Sequence, residues 1–206
     1  MSEERSEAFK RFVESVEGKS LEWREDVDLP ALLSLQGEER RAAEELLMRE
    51  LPENDTRAPG ALAKAQCRGA VVPMKEALPK ASGRMKVAIA LALAELDAGP
   101  ADPIIAEVIR SGDDDSAAAA MVVARDMRSD EIRDALAWAA MHHPTPSARS
   151  SAGSILLYAS GASNDPFVWH MRPLYLQLGS EDEATRRKAF EAICEVAQIP
   201  PSLADS

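Results

Sequence analysis

"PLYLQL" runs from Pro173 to Leu178, and three earlier stretches share its plan: "PALLSL" from Pro30, "PMKEAL" from Pro73 and "PIIAEV" from Pro103. In each, the residue after proline is apolar or small: Ala31, Met74, Ile104, Leu174. The fifth residue after it is apolar too: Leu35, Leu78, Val108, Leu178. The prolines stand 43, 30 and 70 residues apart, the last step being two units of about 35. A period of this length is the mark of stacked helical repeats.

Between these short segments lie stretches that read as second helices. They are "GEERRAAEELLMREL" (Gly37–Leu51), "GRMKVAIALALAELD" (Gly83–Asp97), "DDDSAAAAMVVARDM" (Asp113–Met127), "PSARSSAGSILLYAS" (Pro146–Ser160) and "DEATRRKAFEAICEVA" (Asp182–Ala197). Aspartates and serines at their starts accept hydrogen bonds from the free N–H groups of a first turn, and acid there suits the helix dipole. "DEIRDALAWAAM" from Asp130 fills the gap between Pro103 and Pro173 as a short helix without proline.

Composition agrees with an all-helical chain. There are 36 alanines among 206 residues, and only 4% are aromatic. Alanine is the best helix former and lets helices approach closely. No sustained β alternation and no Asn-Gly or Asp-Gly hairpin turn is present. The expected class is all-α.

The pattern resembles HEAT repeats: a short helix with proline, a turn, then a helix opening on Asp or Gly with a basic residue one turn in and an alanine-rich face. Lys86, Arg149 and Arg186 fall at the family's basic position and Asp182 at its aspartate position; Ala117 breaks the pattern in the third unit. The resemblance implies a ladder between neighbouring repeats and a right-handed α-solenoid of about five or six helical hairpins. It covers residues 28–198. Residues 1–27 are expected to form an N-terminal capping helix and linker, and 199–206 a C-terminal tail. Phe9, Phe12, Val13 and Val16 make the cap's apolar stripe, and Trp23 is expected to anchor the linker.

The net charge of −11 and the scarcity of basic stretches argue against nucleic acid and favour a basic protein partner. Cys67 and Cys194 form no Cys-x-x-Cys, the first residues lack an apolar run, and no stretch is long enough to span a bilayer; the expected location is the cytoplasm. "NDT" at Asn54 is read as a loop. "GKS" at Gly18 lacks the earlier glycine of a phosphate loop, with Val13 in its place. His142 and His143 point about 100° apart on a helix and make a poor metal pair. No metal, cofactor or catalytic residue is assigned.

Two places remain as partner-binding candidates. Asp113, Asp114 and Asp115 read first as a helix cap and second as a contact for a basic partner. In "FVWHMRPLYLQL" (Phe167–Leu178), helical spacing puts Phe167, Met171, Leu174 and Leu178 on a core face, with Tyr175 half buried. Trp169, with Arg172 beside it, and Leu176 fall on the opposite side, open to a partner unless a neighbouring helix or the tail covers them. The expected function is a non-catalytic protein-interaction scaffold or regulator, inhibitor- or immunity-like toward a basic protein, with a monomer favoured. The alternative is a HEAT-like enzyme of the alkylated-base DNA glycosylase type, which needs a basic groove with a carboxylate beside a tryptophan.

Overall fold

The structure is a computed structural model and describes residues 5–18, 26–165 and 167–205. Trp23, Lys19 and Ser20, on which the linker and phosphate-loop readings fall, lie outside the described residues. Among the described residues every regular element is helical and no strand occurs. The chain divides into two compact units, 1–100 and 101–206, a boundary within the stretch that the repeat pattern treats as one array.

The first unit holds α1 (Glu7–Glu17), α2 (Leu29–Ser34), α3 (Gly37–Glu50), α4 (Arg57–Lys64), α5 (Val71–Ala77) and α6 (Gly83–Glu95). Helix α1 starts at Ser6, whose hydroxyl accepts from Phe9 N–H at 3.2 Å. Its apolar stripe buries Phe12 and Val16 fully, with Phe9 and Val13 packed at the edge of the same core. Helices α2 and α3 receive it, and Ser6 donates through N and Oγ to the Glu39 carboxylate at 2.7 and 2.6 Å. The outward residues Glu7, Lys10, Arg11 and Glu14 are polar, as a cap requires.

Helix α4 is an addition to the sequence reading. "RAPGALAK" holds both Pro59 and Gly60, so it reads as a break, yet proline is tolerated in a first turn and Pro59 is the third residue of the helix. It is α4, buried along Ala58, Ala61 and Leu62, that forms the main packing partner of α6. The Pro73 segment exists as α5 but lies more loosely on α6.

The second unit holds α7 (Asp102–Ser111), α8 (Asp114–Ala124), α9 (Asp130–His142), α10 (Pro146–Ala159), α11 (Arg172–Leu178) and α12 (Glu183–Ala197). Consecutive helices pack in α7–α8, α9–α10 and α11–α12, and α7–α9, α8–α10 and α10–α12 pack at one remove. Its core includes Ile105, Ile109, Leu136, Leu156, Phe190 and Ile193. Each fully buried Leu, Ile or Phe contributes about 1.5–3 kcal/mol relative to exposure. Gly153 lets α10 and α11 touch: a Cβ there would run into Leu178 Cδ1. After α12, Gln198 turns the chain at φ 55°, and a 3₁₀ turn at Pro201–Asp205 packs on α9 with Ala204 buried.

Candidate functional site

One position recurs across these helices. The fourth residue of α3, α6, α8, α10 and α12 is Arg40, Lys86, Ala117, Arg149 and Arg186. Arg40 Nη1 donates to Leu32 O in α2 at 2.7 Å, and Nη2 to Ala65 O at the end of α4 at 2.5 Å. Arg149, only 4% exposed, does the same on a larger scale. Its Nη1 donates to His143 O and Pro144 O after α9, at 2.9 and 3.1 Å. Its Nε and Nη2 donate to Leu178 O, Gly179 O and Ser180 O at the end of α11, and Nη2 also meets Glu181 Oε1 at 3.0 Å. Arg186 donates to Ser180 O and Glu181 O. The planar fork of arginine suits such clusters of carbonyls, and positive charge suits a helix C-terminus. These arginines are therefore structural. Sequence reasoning found Lys86, Arg149 and Arg186 but missed Arg40, because it stands beside Arg41 in a charged run; its offset from Gly37 was the available signal. Asp182 caps α12 through Thr185.

The acidic triplet is largely committed inward. Asp113 caps α8, accepting from Ser116 N and Oγ at 2.9 and 2.8 Å, and these bonds hold its carboxyl below the usual range. Asp114 accepts from Thr145 Oγ1 at 2.8 Å and Ser147 Oγ at 3.1 Å, tying the start of α8 to the start of α10. Asp115 is exposed beside them and has an interaction of its own.

The segment Phe167–Leu178 is not one helix. A 3₁₀ turn at Trp169–Met171 leads into α11, and Pro173 is its second residue, where no donor is missed. Three expectations change as a result, the first being that Leu174, placed on the core face by its spacing, is only partly buried. Phe167 precedes the helical register and is 42% exposed, and Tyr175 is buried at 2%. Burial pushes the Tyr175 phenol up. Trp169 and Leu176 are 75% and 59% exposed, and the tail that was a candidate cover lies on α9 instead. Phe167 meets Trp169 edge-on at 5.6 Å between centroids, and the Arg172 guanidinium lies 5.8 Å over the Trp169 ring. Among the described residues no carboxylate is within ion-pair distance of Arg172. Trp169 and Arg172 follow the end of α10, whereas the aspartates sit at its start, so the two candidates occupy different ends of that helix.

On α9, Asp134 stands one turn before Trp138, and Trp138 pairs with His142 at 5.7 Å. Asp134 Oδ1 is buried and has no hydrogen-bond partner among the described residues. Clefts of about 300, 320 and 390 Å³ lie elsewhere, and none of the three is lined by Trp138 or Trp169. Among the described residues no three His, Cys, Asp or Glu side chains gather as a metal site, and no helix is long and apolar enough to cross a membrane. Comparison with protein-family models, with curated proteins and with solved structures finds no match for this chain.

Proposed function

We infer that the chain is a HEAT-like repeat protein, a right-handed α-solenoid of about five or six hairpins, that acts without catalysis as a scaffold or regulator for a protein partner. The hairpins are α2–α3, α4–α6, α7–α8, α9–α10 and α11–α12, and the basic fourth residue of four of their second helices (Arg40, Lys86, Arg149 and Arg186) supports treating them as repeats. The observation that carries the function is Trp169. Trp169 is 75% exposed and meets Phe167 edge-on, with Leu176 of α11 exposed as well, and exposed apolar side chains of this kind mark interaction sites. The charge of −11 favours encounter with a basic partner, which supports an inhibitor- or immunity-like regulator working in the cytoplasm as a monomer. Affinity capture from the source cell with wild type and Trp169→Ala tests this: a partner retained by the first and lost by the second supports the reading. Equal recovery of every partner by a folded Trp169→Ala protein removes the patch from it.

The enzyme reading keeps one supporting observation, the Asp134 carboxylate one turn from Trp138. Against it, the same helix opens with Asp130 and Glu131, an acidic face toward a polyanion. Release of alkylated base from methylated duplex DNA by wild type but not by Asp134→Asn would establish it. No release, together with no DNA retention at low salt, disposes of it.

A further inference from the structure

Three helix ends meet at one cleft of the second unit. Arg133 stands at the start of α9, Ala159 ends α10 and Ala197 ends α12, and all three line a cleft of about 320 Å³. Arg128, just before α9, brings a second guanidinium to the same lining. The helix dipole is positive at the start of α9 and negative at the ends of α10 and α12, so one part of the lining is positive and another negative. We propose that this cleft binds a small zwitterion, an α-amino acid with an apolar side chain. Its carboxylate meets Arg128 and Arg133, its ammonium meets the carbonyls of Ala159 and Ala197, and its side chain lies against Met127 and Ile199, which also line the cleft. The proposal goes beyond the scaffold reading and does not depend on it.

The donors come first. Arg128 is held in place by the chain itself: Nη1 donates to Arg125 O and Met127 O at 2.7 and 2.9 Å, and the guanidinium lies 5.1 Å over the Tyr158 ring. Arg133 pairs through Nη2 with the exposed Asp130 at 2.9 Å, and its Nε has no hydrogen-bond partner among the described residues. Among the described residues no carboxylate lines the cleft. A carboxylate is the planar group that the guanidinium fork suits. The acceptors come next. Turn bonds after α10 use the carbonyls of Leu156, Leu157 and Tyr158, and those after α12 use Cys194 and Glu195. Ala159 O and Ala197 O accept no hydrogen bond among the described residues. Arg149 meets the ends of α9 and α11 directly, but neither Arg128 nor Arg133 donates to a carbonyl of α10 or α12 among the described residues. The positive and negative groups therefore stay separate, and a ligand carrying both charges joins them. An anion alone would leave the carbonyls unmet, and a cation alone the guanidiniums. Size narrows the class further. Ligand pockets run from about 300 to 1,000 Å³, and a cleft at the lower end suits one amino acid better than a peptide or a nucleotide.

Thermal unfolding of the full chain with leucine, methionine or alanine, followed by calorimetric titration, tests the proposal. The expected result is a Tm that rises with leucine or methionine concentration and a smaller rise with alanine. N-acetyl-leucine lacks the ammonium and leucinamide lacks the carboxylate, and each is expected to bind about ten-fold or more weakly than leucine. Arg133→Gln and Arg128→Gln weaken leucine to the same degree. Far-ultraviolet dichroism and urea unfolding identify any variant that has lost its fold. Arg128 is exposed and precedes α9, so Arg128→Gln serves if Arg133→Gln does not fold. N-acetyl-leucine binding as tightly as leucine reduces the cleft to an anion site and overturns the zwitterion proposal, and leucinamide binding as tightly overturns it as well. So does the lack of any response to the three amino acids up to about 10 mM. Equal leucine affinity in wild type and folded Arg128→Gln places the ligand elsewhere and overturns the assignment. None of these outcomes alters the partner capture that tests the scaffold reading.

Discussion

Arg149 satisfies six acceptors drawn from the ends of two helices and the loop beyond. A buried guanidinium costs desolvation energy, and here it is repaid only because every lobe of the fork is used. Arg149→Ala leaves carbonyls of α9 and α11 without a donor; urea unfolding is expected to show a loss of about 3–5 kcal/mol. Arg149→Lys recovers little of that, since an ammonium cannot span the same carbonyls. Next to it, His143 is buried, and its Nδ1 accepts from Thr145 N–H at 3.2 Å. Burial holds the ring below the ordinary histidine range, with Arg149 pushing the same way and Asp114 opposing. The unfolded chain therefore takes up a proton near pH 6.5 while the folded one does not, so stability is complete above that pH and falls as pH drops toward the folded value. Unfolding measured between pH 7.5 and 5 is expected to show this slope in wild type and a flatter one in His143→Asn, whose side-chain oxygen can accept from Thr145. Equal slopes would assign the dependence to other groups.

At the scale of the helix, the capping chemistry is where sequence and structure agree best. Ser6, Asp28, Ser82, Asp113, Ser129 and Asp182 each accept from a backbone N–H three residues on. Spacing arguments also place Trp169 and Leu176 away from the core correctly, because α11 is a regular helix over Leu176 and its register extends back to the 3₁₀ turn. They fail at Phe167, where the chain is no longer helical, and at Tyr175, which the approach of α10 covers: Ser150 Oγ donates to Tyr175 O at 2.7 Å. Such contacts join distant segments and leave no periodic trace in either one. The close approach of α10 and α11 at Gly153 gives a direct test. Gly153→Ala is helix-favouring in isolation by up to about 1 kcal/mol, yet here its methyl meets the fully buried Leu178. Overpacking of this kind costs about 1–3 kcal/mol. Chemical denaturation is expected to show a net loss, and a gain would mean that α11 can shift outward freely.

At the scale of the molecule, residues 1–100 and 101–206 are two compact units, and the first carries an apolar cluster running from Phe12 to Leu96. A fragment of residues 101–206 is expected to be helical and to unfold cooperatively; a fragment that is unstructured by dichroism would mean that the second unit depends on the first. The proline period pointed to hairpins, but it could not show this division, since the Gly and Pro of the connecting "DAGPAD" are ordinary turn residues that mark a loop and not a boundary between units. Nor does a repeat pattern reveal where a repeat is defective. Helix α8 carries Ala117 where α3, α10 and α12 carry an arginine that bonds carbonyls of the chain before it. Its link to α10 runs instead through Asp114, with Thr145 and Ser147, near the surface. The C-terminal turn of α7 thus lacks the guanidinium that Arg149 gives α9. In deuterium exchange by mass spectrometry, the peptides covering that turn and the start of α8 are the ones expected to label first within the second unit. A slow uptake there, matching the segment beside Arg149, would show that the aspartate linkage serves as a full substitute.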